Sequence, residues 1–468
     1  MASLEIIFGI ISLFLAIYYY FTSTFDFWKI RGVPGPKPIP IFGNIKNVML
    51  LRTSMCHYLK KLCEEYKHEP MIGIFTRKTP ILIIQDPDLI KDVLIRDFSK
   101  FANRGIPIHE KAEPLSSHLF NLEVERWRPL RTRLSPVFTS GKLKEMFPLI
   151  LDCSKHLEQY LDKLVLREEF IECRELTAKY TTDVIGSCAF GIEMNALSDE
   201  ESEFRRIVTT FLTNIIVNTM KYRQENNIVR PDFVNMLIEL KKHPDKLENI
   251  KLTDTLLTAQ AFVFFIAGFE TSSSAISNAL YELALNPEVQ DKLRQEIKEY
   301  FNKHNELKYE YIKNMTYLDL VFRETLRKYP PGPLILRKSI TNYTFNNTKV
   351  SIPEKSFVWI PLYAIHHDPK IYPNPDAFIP ERFNDDAIAT RHPMHYLPFG
   401  DGPRNCIGAR FAVYQSKIGL ITILWNYKVE VCNKTMIPYE INPAAFLLTP
   451  KGGIYLKFTK IKNEEILN

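Results

Sequence analysis

Nothing in this sequence divides it. After the N-terminal segment, no Ser/Gly-rich linker, low-complexity run or internal repeat interrupts the 468 residues. One large domain is therefore the simpler reading than the two or three that length alone allows. Paired cysteines are also missing. Cys56, Cys63, Cys153, Cys173, Cys188, Cys406 and Cys432 are odd in number and widely scattered, with no C-x-x-C among them. That excludes a disulfide framework and a structural zinc ribbon, and it suits a reducing compartment. The net charge of +6 comes without concentrated basic blocks. Nucleic acid is thus not an expected partner, whereas an acidic protein or an anionic membrane surface is. Finally, no G-x-G-x-x-G follows a strand, so the chain has no nucleotide-binding fingerprint for flavin or nicotinamide.

What is present begins at the N-terminus. Ile6 to Phe21 is almost wholly apolar, and counted from Leu4 the run makes a helix of about 27 Å, enough to cross a bilayer core. Tyr18, Tyr19 and Tyr20 mark an interfacial end. Lys29 and Arg31 follow the run and Glu5 precedes it, which places the body on the cytosolic side. A cleaved signal peptide is the rival, but no clear small-x-small cleavage site is present. Residues 1–25 are therefore read as a membrane anchor. Residues 26–40, with Val33-Pro34-Gly35-Pro36-Lys37-Pro38-Ile39-Pro40, read as a stiff extended hinge lifting the domain off the membrane. The body is 41–468.

Along the body, Met71 to Phe75 and Ile81 to Ile84 predict a β-hairpin, and Pro87 to Arg96 a short helix capped by Asp86. Helical patterns then dominate: Lys142 to Leu164, Cys173 to Phe190, Thr253 to Leu285, Pro287 to His304, Tyr317 to Lys328 and Ile407 to Trp425. The fold class is mainly α with minor β (α+β).

Three stretches carry chemistry. Phe399-Gly400-Asp401-Gly402-Pro403-Arg404-Asn405-Cys406-Ile407-Gly408 sets one cysteine in a loop whose glycines and proline forbid regular structure. Free N–H groups of the following helix would hold its sulfur as thiolate, the form that ligates metal, and a single thiolate suits haem iron. The second stretch, Ala261 to Ser272, is apolar nearly all round, with Glu270 and Thr271 adjacent in a setting where polar groups are costly. Gly268 leaves room for a planar cofactor, and Thr271 can hydrogen-bond backwards. The third, Glu324-Thr325-Leu326-Arg327, puts a carboxylate and a guanidinium on one helix face. His366 and His367 tempt a metal assignment, but adjacent histidines rarely reach one ion, and no further ligands are spaced to help.

Together these motifs resemble the cytochrome P450 superfamily, and the loop and central segment look most like its insect microsomal family six, related to vertebrate family three. The resemblance spans the chain to about Phe458. It implies a haem-thiolate monooxygenase inserting one O2-derived oxygen atom into lipophilic substrates, such as plant toxins or insecticides. Cys406 would be the axial ligand of haem b (iron protoporphyrin IX). Thr271 would position oxygen and a proton-donating water, with Glu270 feeding protons from solvent. Arg104, Trp127, Arg131, Arg337 and Arg404 would hold the propionates, with Gly268, Phe399 and Gly408 also at the haem. Glu324, Arg327 and Arg382 would form a structural cluster beneath the loop. By register, Phe264, Phe265, Ala267, Leu334, Ile335 and Leu448 would line the substrate pocket, joined by the loop from Ile106 to Leu119.

Electrons would come from NADPH through the diflavin NADPH–cytochrome P450 reductase, docked on Arg126, Arg128, Arg133, Lys142 and Lys144, with cytochrome b5 as a second candidate partner. The site would be the cytosolic face of the endoplasmic reticulum membrane. One departure stands out: Met220 comes almost at once after Arg206, so that the region around 205–222 lacks a few dozen residues that roof the pocket in family members, leaving Ile207 to Thr219 for that job. This leaves two alternatives. One is an inactive or poorly folding short isoform, the other a haem-thiolate isomerase or dehydratase needing no external electrons.

Overall fold

The computed structural model describes residues 2–198, 217–230, 232–242, 250 and 252–461. Its principal helices are α1 (Ala2–Thr22), α2 (Met55–Glu65), α3 (Val124–Leu134), α4 (Ser140–Arg167), α5 (Cys173–Ile185), α6 (Asp254–Leu285), α7 (Pro287–Lys303), α8 (Thr316–Lys328) and α9 (Ala409–Asn426). The strands are β1 (Met71–Thr76), β2 (Thr79–Ile84), β3 (Ile171–Glu172), β4 (Ile335–Lys338), β5 (Tyr343–Thr344), β6 (Ser351–Ile352), β7 (Phe357–Ile360), β8 (Tyr427–Val431) and β9 (Tyr455–Lys460). They form three small sheets ordered β1-β2-β7-β4, β3-β9-β8 and β5-β6. Helix outweighs strand throughout, as expected from the patterning.

Local chemistry explains the boundaries. The hairpin closes with Phe75 opposite Pro80 and Thr76 opposite Thr79, across a turn in which Arg77 takes a positive φ of 57°. Asp86 caps Pro87–Lys91 by accepting the Leu89 N–H at 3.0 Å. Thr253 caps α6 in the same way, from Leu256 N–H at 3.1 Å. Helix α4 buries Leu143, Phe147, Ile150, Leu157, Leu161 and Leu164, one stripe at three- and four-residue spacing. Helix α6 is different. It is buried on most sides because α5 and α9 pack directly against it, and Thr177 and Thr181 of α5 donate to its Ser273 and Phe269 carbonyls, each at 3.0 Å.

Helix α1 stands outside this core. Leu4–Thr22 has a mean hydropathy of 2.0 and none of it is buried in the protein, so it is long and apolar enough to cross a membrane. The hinge segment differs from expectation. It opens with one helical turn, Phe27–Ile30, and only then runs irregular, and it is pressed against the first sheet rather than standing free. Trp28 is buried and donates Nε1–H to Ile74 O at 3.0 Å, and Gly73 N–H reaches Pro34 O at 2.8 Å. Gly73 permits this, since a Cβ there would sit 2.3 Å from the Trp28 ring. The segment from Ile207 to Thr219 lies almost wholly outside the described residues; helix resumes at residue 217.

Near the C-terminal end of α8, Arg327 grips Glu324 with two hydrogen bonds at 2.7 and 2.9 Å, both side chains fully buried. Arg382 Nε lies 3.4 Å from the same carboxylate. Arg327 also donates to His366 O at 2.9 Å, and Glu324 accepts the Ile379 N–H at 3.0 Å. The His366 ring is spoken for, with Nδ1 at Arg327 O and Nε2 accepting the Leu397 N–H at 3.2 Å. Burial holds its pKa down at about 3.

These contacts set two expectations for stability. Arg327→Leu strands a buried carboxylate and should lower the unfolding free energy by about 3–5 kcal/mol, read as a shift in denaturant midpoint. Because the unfolded His366 takes up a proton near pH 6.5 and the folded one only near pH 3, its contribution is complete above 6.5. Stability should then fall with acidification by up to about 1.4 kcal/mol per pH unit from this group, a slope that His366→Asn flattens.

Candidate active site

The cysteine loop folds as it does because two glycines adopt left-handed conformations that other residues take only rarely. Gly400 and Gly402 have φ of 67° and 72°. Gly402 is packed so tightly that a Cβ would lie 1.9 Å from the Leu94 carbonyl oxygen. The loop doubles back through Cys406 N–H to Phe399 O at 2.8 Å, and Gly408 then opens α9. This turn presents the Cys406 side chain to an internal cavity whose opposite wall is the middle of α6, with Phe264, Ala267, Gly268 and Thr271. Arg104, Trp127, Arg131 and Gly408 line the same cavity. Stretches from both ends of the domain thus meet at one space.

Burial pushes the Cys406 thiol up, while the Gly408 N–H and the charges of Arg131 and Arg104 pull it down. The sulfur is nevertheless open to the cavity, and a metal ion bound there would favour the thiolate.

Four guanidinium groups gather on one side of the cavity: Arg104 and Arg131 in its lining, with Arg337 and Arg404 close enough to repel Arg104. Arg104 donates to Phe120 O at 2.8 Å and to Arg404 O at 3.2 Å. Arg131 clasps Asn405, at its carbonyl at 3.0 Å and its side-chain oxygen at 2.9 Å. Arg404 donates to Leu122 O and lies 4.5 Å over the Trp127 ring. Arg337 reaches only Leu336 O, at 2.9 Å. No aspartate or glutamate lines this cavity among the described residues. Burial and mutual repulsion accordingly hold Arg104 well below the usual range and Arg404 at about 9, and burial alone brings Arg337 to about 10. Arg404 Nε and Nη1 and Arg337 Nε are buried without any hydrogen-bond partner. Orphaned guanidinium donors in an uncompensated positive cluster fit an anion with several oxygens, such as a pair of carboxylates. Beside a lone cysteine and a flat apolar wall, the residues present fit haem.

On the far wall, Thr271 donates back to Ala267 O at 2.7 Å, as its spacing predicts. Glu270, one residue earlier, points away and pairs with Arg174 at the start of α5, partly exposed. Gly268 is constrained differently from expectation. A Cβ there would lie 2.7 Å from Ile185 of α5, so helix packing, and not only a planar cofactor, requires the glycine. Four pocket residues expected by register are absent from the lining. Phe265 packs against Phe190 and Phe269. Leu334 joins Leu59 and Ile72, Ile335 begins β4, and Leu448 packs with Cys56 and Tyr363. Phe399 contributes its carbonyl to the loop but no surface to the cavity.

Leu119, the end of the loop from Ile106 expected to contribute, lines the cavity. The structure adds residues the sequence did not single out: Phe120 and Gln415, whose Nε2 donates to Gly268 O at 2.9 Å and Ser272 Oγ at 2.5 Å. A glutamine inside an apolar helix was the available signal.

The family model for cytochrome P450 matches residues 33–223 and 203–458, two pieces that overlap where the chain looks short. Among curated proteins, the chain is 40% identical to probable cytochrome P450 6a14 of Drosophila melanogaster, over 93% of this chain and 96% of that one. It is 39% identical to cytochrome P450 6A1 of Musca domestica, over 95% and 96%. Against cytochrome P450 6B1 of Papilio polyxenes the identity is 36%, over 95% and 97%.

Gly402→Ala should be the most damaging single methyl in the loop, since neither its φ nor Leu94 O leaves room. We expect little soluble protein and a thermal midpoint several degrees lower. Gly452→Ala, at φ 88° but with open space around it, should cost only the backbone strain.

Proposed function

The chain belongs to the cytochrome P450 family, and we propose that it works as a membrane-anchored haem-thiolate monooxygenase in which the Cys406 sulfur would hold the haem iron. Members of the family are haem b enzymes that draw NADPH electrons through a reductase. Bound haem supplies oxygen activation, one atom of O2 passing to a lipophilic substrate and the other leaving as water. The observation that carries the assignment is the convergence of one cysteine and four under-compensated arginines around a single cavity. Arg104, Arg131, Arg337 and Arg404, with the Trp127 indole, would bind the two propionates, and Gly408 N–H would stabilise the sulfur. Glu324, Arg327 and Arg382 keep a structural role, stiffening the support of the loop.

On the opposite wall, Thr271 Oγ1 can exchange its bond to Ala267 O for one to a ligand in the cavity. Glu270, held by Arg174 at a partly exposed position facing away from the cavity, is assigned the uptake of protons from solvent once that pair opens. Phe264, Ala267, Leu119 and Phe120 give the substrate an apolar enclosure. Likeness to insect family-six proteins favours xenobiotic substrates such as plant toxins and insecticides. Helix α3 carries Trp127 and Arg131 on its inner face and the exposed Arg128 and Arg133 on its outer one. With Arg126, Lys142 and Lys144 these offer the acidic reductase, or cytochrome b5, a basic face near the haem. The anchor would hold the enzyme on the endoplasmic reticulum, body in the cytosol.

A second reading, an inactive short isoform, is favoured by one observation: the family match falls into two pieces overlapping at 203–223, where roof residues are short. Absorbance of the dithionite-reduced protein with and without carbon monoxide decides between them. We expect the long-wavelength Soret band of a carbonyl opposite a thiolate, lost or blue-shifted in Cys406→His, and then reductase-dependent turnover of lipophilic compounds. Absence of that band in the wild-type protein would establish the inactive reading.

A further inference from the structure

We propose that Gln260 is a positioning residue for ligand selection, clamping the loop that forms one wall of the cavity to the central helix. This rests on the haem-thiolate reading of the cavity and adds to it a determinant of which ligands fit. Gln260 lies on α6 one turn before Phe264 and is completely buried. Its amide makes a full set of bonds. Oε1 accepts the Leu119 N–H at 2.8 Å, and Nε2 donates to Ser117 O at 3.0 Å and Leu256 O at 2.9 Å. The first two reach across to the loop and straddle His118, so one side chain fixes both ends of a two-residue step.

The wall begins at that step. Leu119 and Phe120 face the cavity, and Phe120 O and ring receive Arg104, the latter with its guanidinium 3.9 Å over the ring centre. The rest of the loop is held differently. Residues 109–114 are all exposed. Their ties are the Glu110 carboxylate to Arg126 and Ser117 Oγ, the Ser116 hydroxyl to His109 N–H and Glu113 O, and a local turn onto His109 O, all at the solvent surface except the bond to Ser117. An exposed ion pair of this kind contributes little and is screened by salt. A buried amide with three partners is another matter, because removing it leaves the Leu119 N–H and Ser117 O unsatisfied. The loop therefore has a loose outer half and a fixed inner half, and Gln260 sets where the division falls. A fixed inner half makes Leu119 and Phe120 a rigid boundary, which small ligands never meet and bulky ones must.

The test uses the full-length haem-loaded protein and two azoles that differ only in reach, imidazole and a triaryl-substituted imidazole, each titrated by the shift in the Soret band. In Gln260→Met, which keeps volume but loses the bonds, imidazole affinity should stay within about twofold. The preference against the bulky azole should shrink by at least about fivefold as the wall yields. Equal changes in both affinities, or none in their ratio, would overturn the proposal. Hydrogen exchange on the wild-type protein provides a reading that does not depend on the variant folding. Amides from 117 to 120 should exchange slowly with or without the bulky azole, while 109–114 exchange fast. Equally fast exchange in both halves would sink the clamp. A wild-type protein lacking the thiolate carbonyl band would instead count against the haem assignment, leaving the exchange pattern to judge the clamp alone.

Discussion

Positive charge buried without its counter-charge governs this molecule. Arg104, Arg131, Arg337 and Arg404 come from four separate stretches of chain, yet burial depresses all four, mutual repulsion adds to it at Arg104 and Arg404, and Arg337 and Arg404 keep buried nitrogen atoms with no partner among the described residues. A fold rarely tolerates such a cluster for its own stability, because each guanidinium would be better solvated outside. The arrangement makes sense as half of an interaction whose other half is an anion. Around it the remaining architecture acts as support: Gly402 seats the cysteine loop against the Leu94 carbonyl, the buried Glu324–Arg327 pair ties α8 to His366 and Ile379, and α6 closes the far side.

How much of this could be seen in the sequence depended on distance along the chain. The cysteine loop, the polar step at Glu270-Thr271 and the Glu324–Arg327 pair are local patterns, where spacing alone fixes which groups share a face. The backward bond of Thr271 and the Glu324–Arg327 pair are present at that spacing, while Glu270 turns out to Arg174. The pocket residues Leu334, Ile335 and Leu448 sit in or beside short irregular stretches, where side-chain direction is set by neighbours remote in sequence. These neighbours turned them to other clusters. Phe265 failed for a simpler reason: one step along a helix turns a residue by about 100°, from the cavity to the layer behind it.

Two glutamines show the same limit from the other side. Gln260 and Gln415 look like ordinary helix formers in the sequence, yet each is a buried amide joining elements far apart in the chain. Gly268 was legible as a place needing no side chain, but its tightest neighbour is Ile185. The absence of a Cβ says that something approaches closely; it does not say what.

The docking of Trp28 against β1 bears on how the body moves. Only a few residues separate the end of α1 from this buried indole, and within them Thr24 Oγ1 is already bonded to Lys78 O at 2.5 Å. The leash is therefore almost without slack. With α1 in a bilayer, as proposed, a head so closely moored would not sweep a hemisphere above it but would drift in the plane of the lipid with one flank nearest the surface. Its meetings with a membrane-bound electron donor would then become a two-dimensional search at nearly fixed height, and compounds dissolved in the lipid would arrive at the same flank.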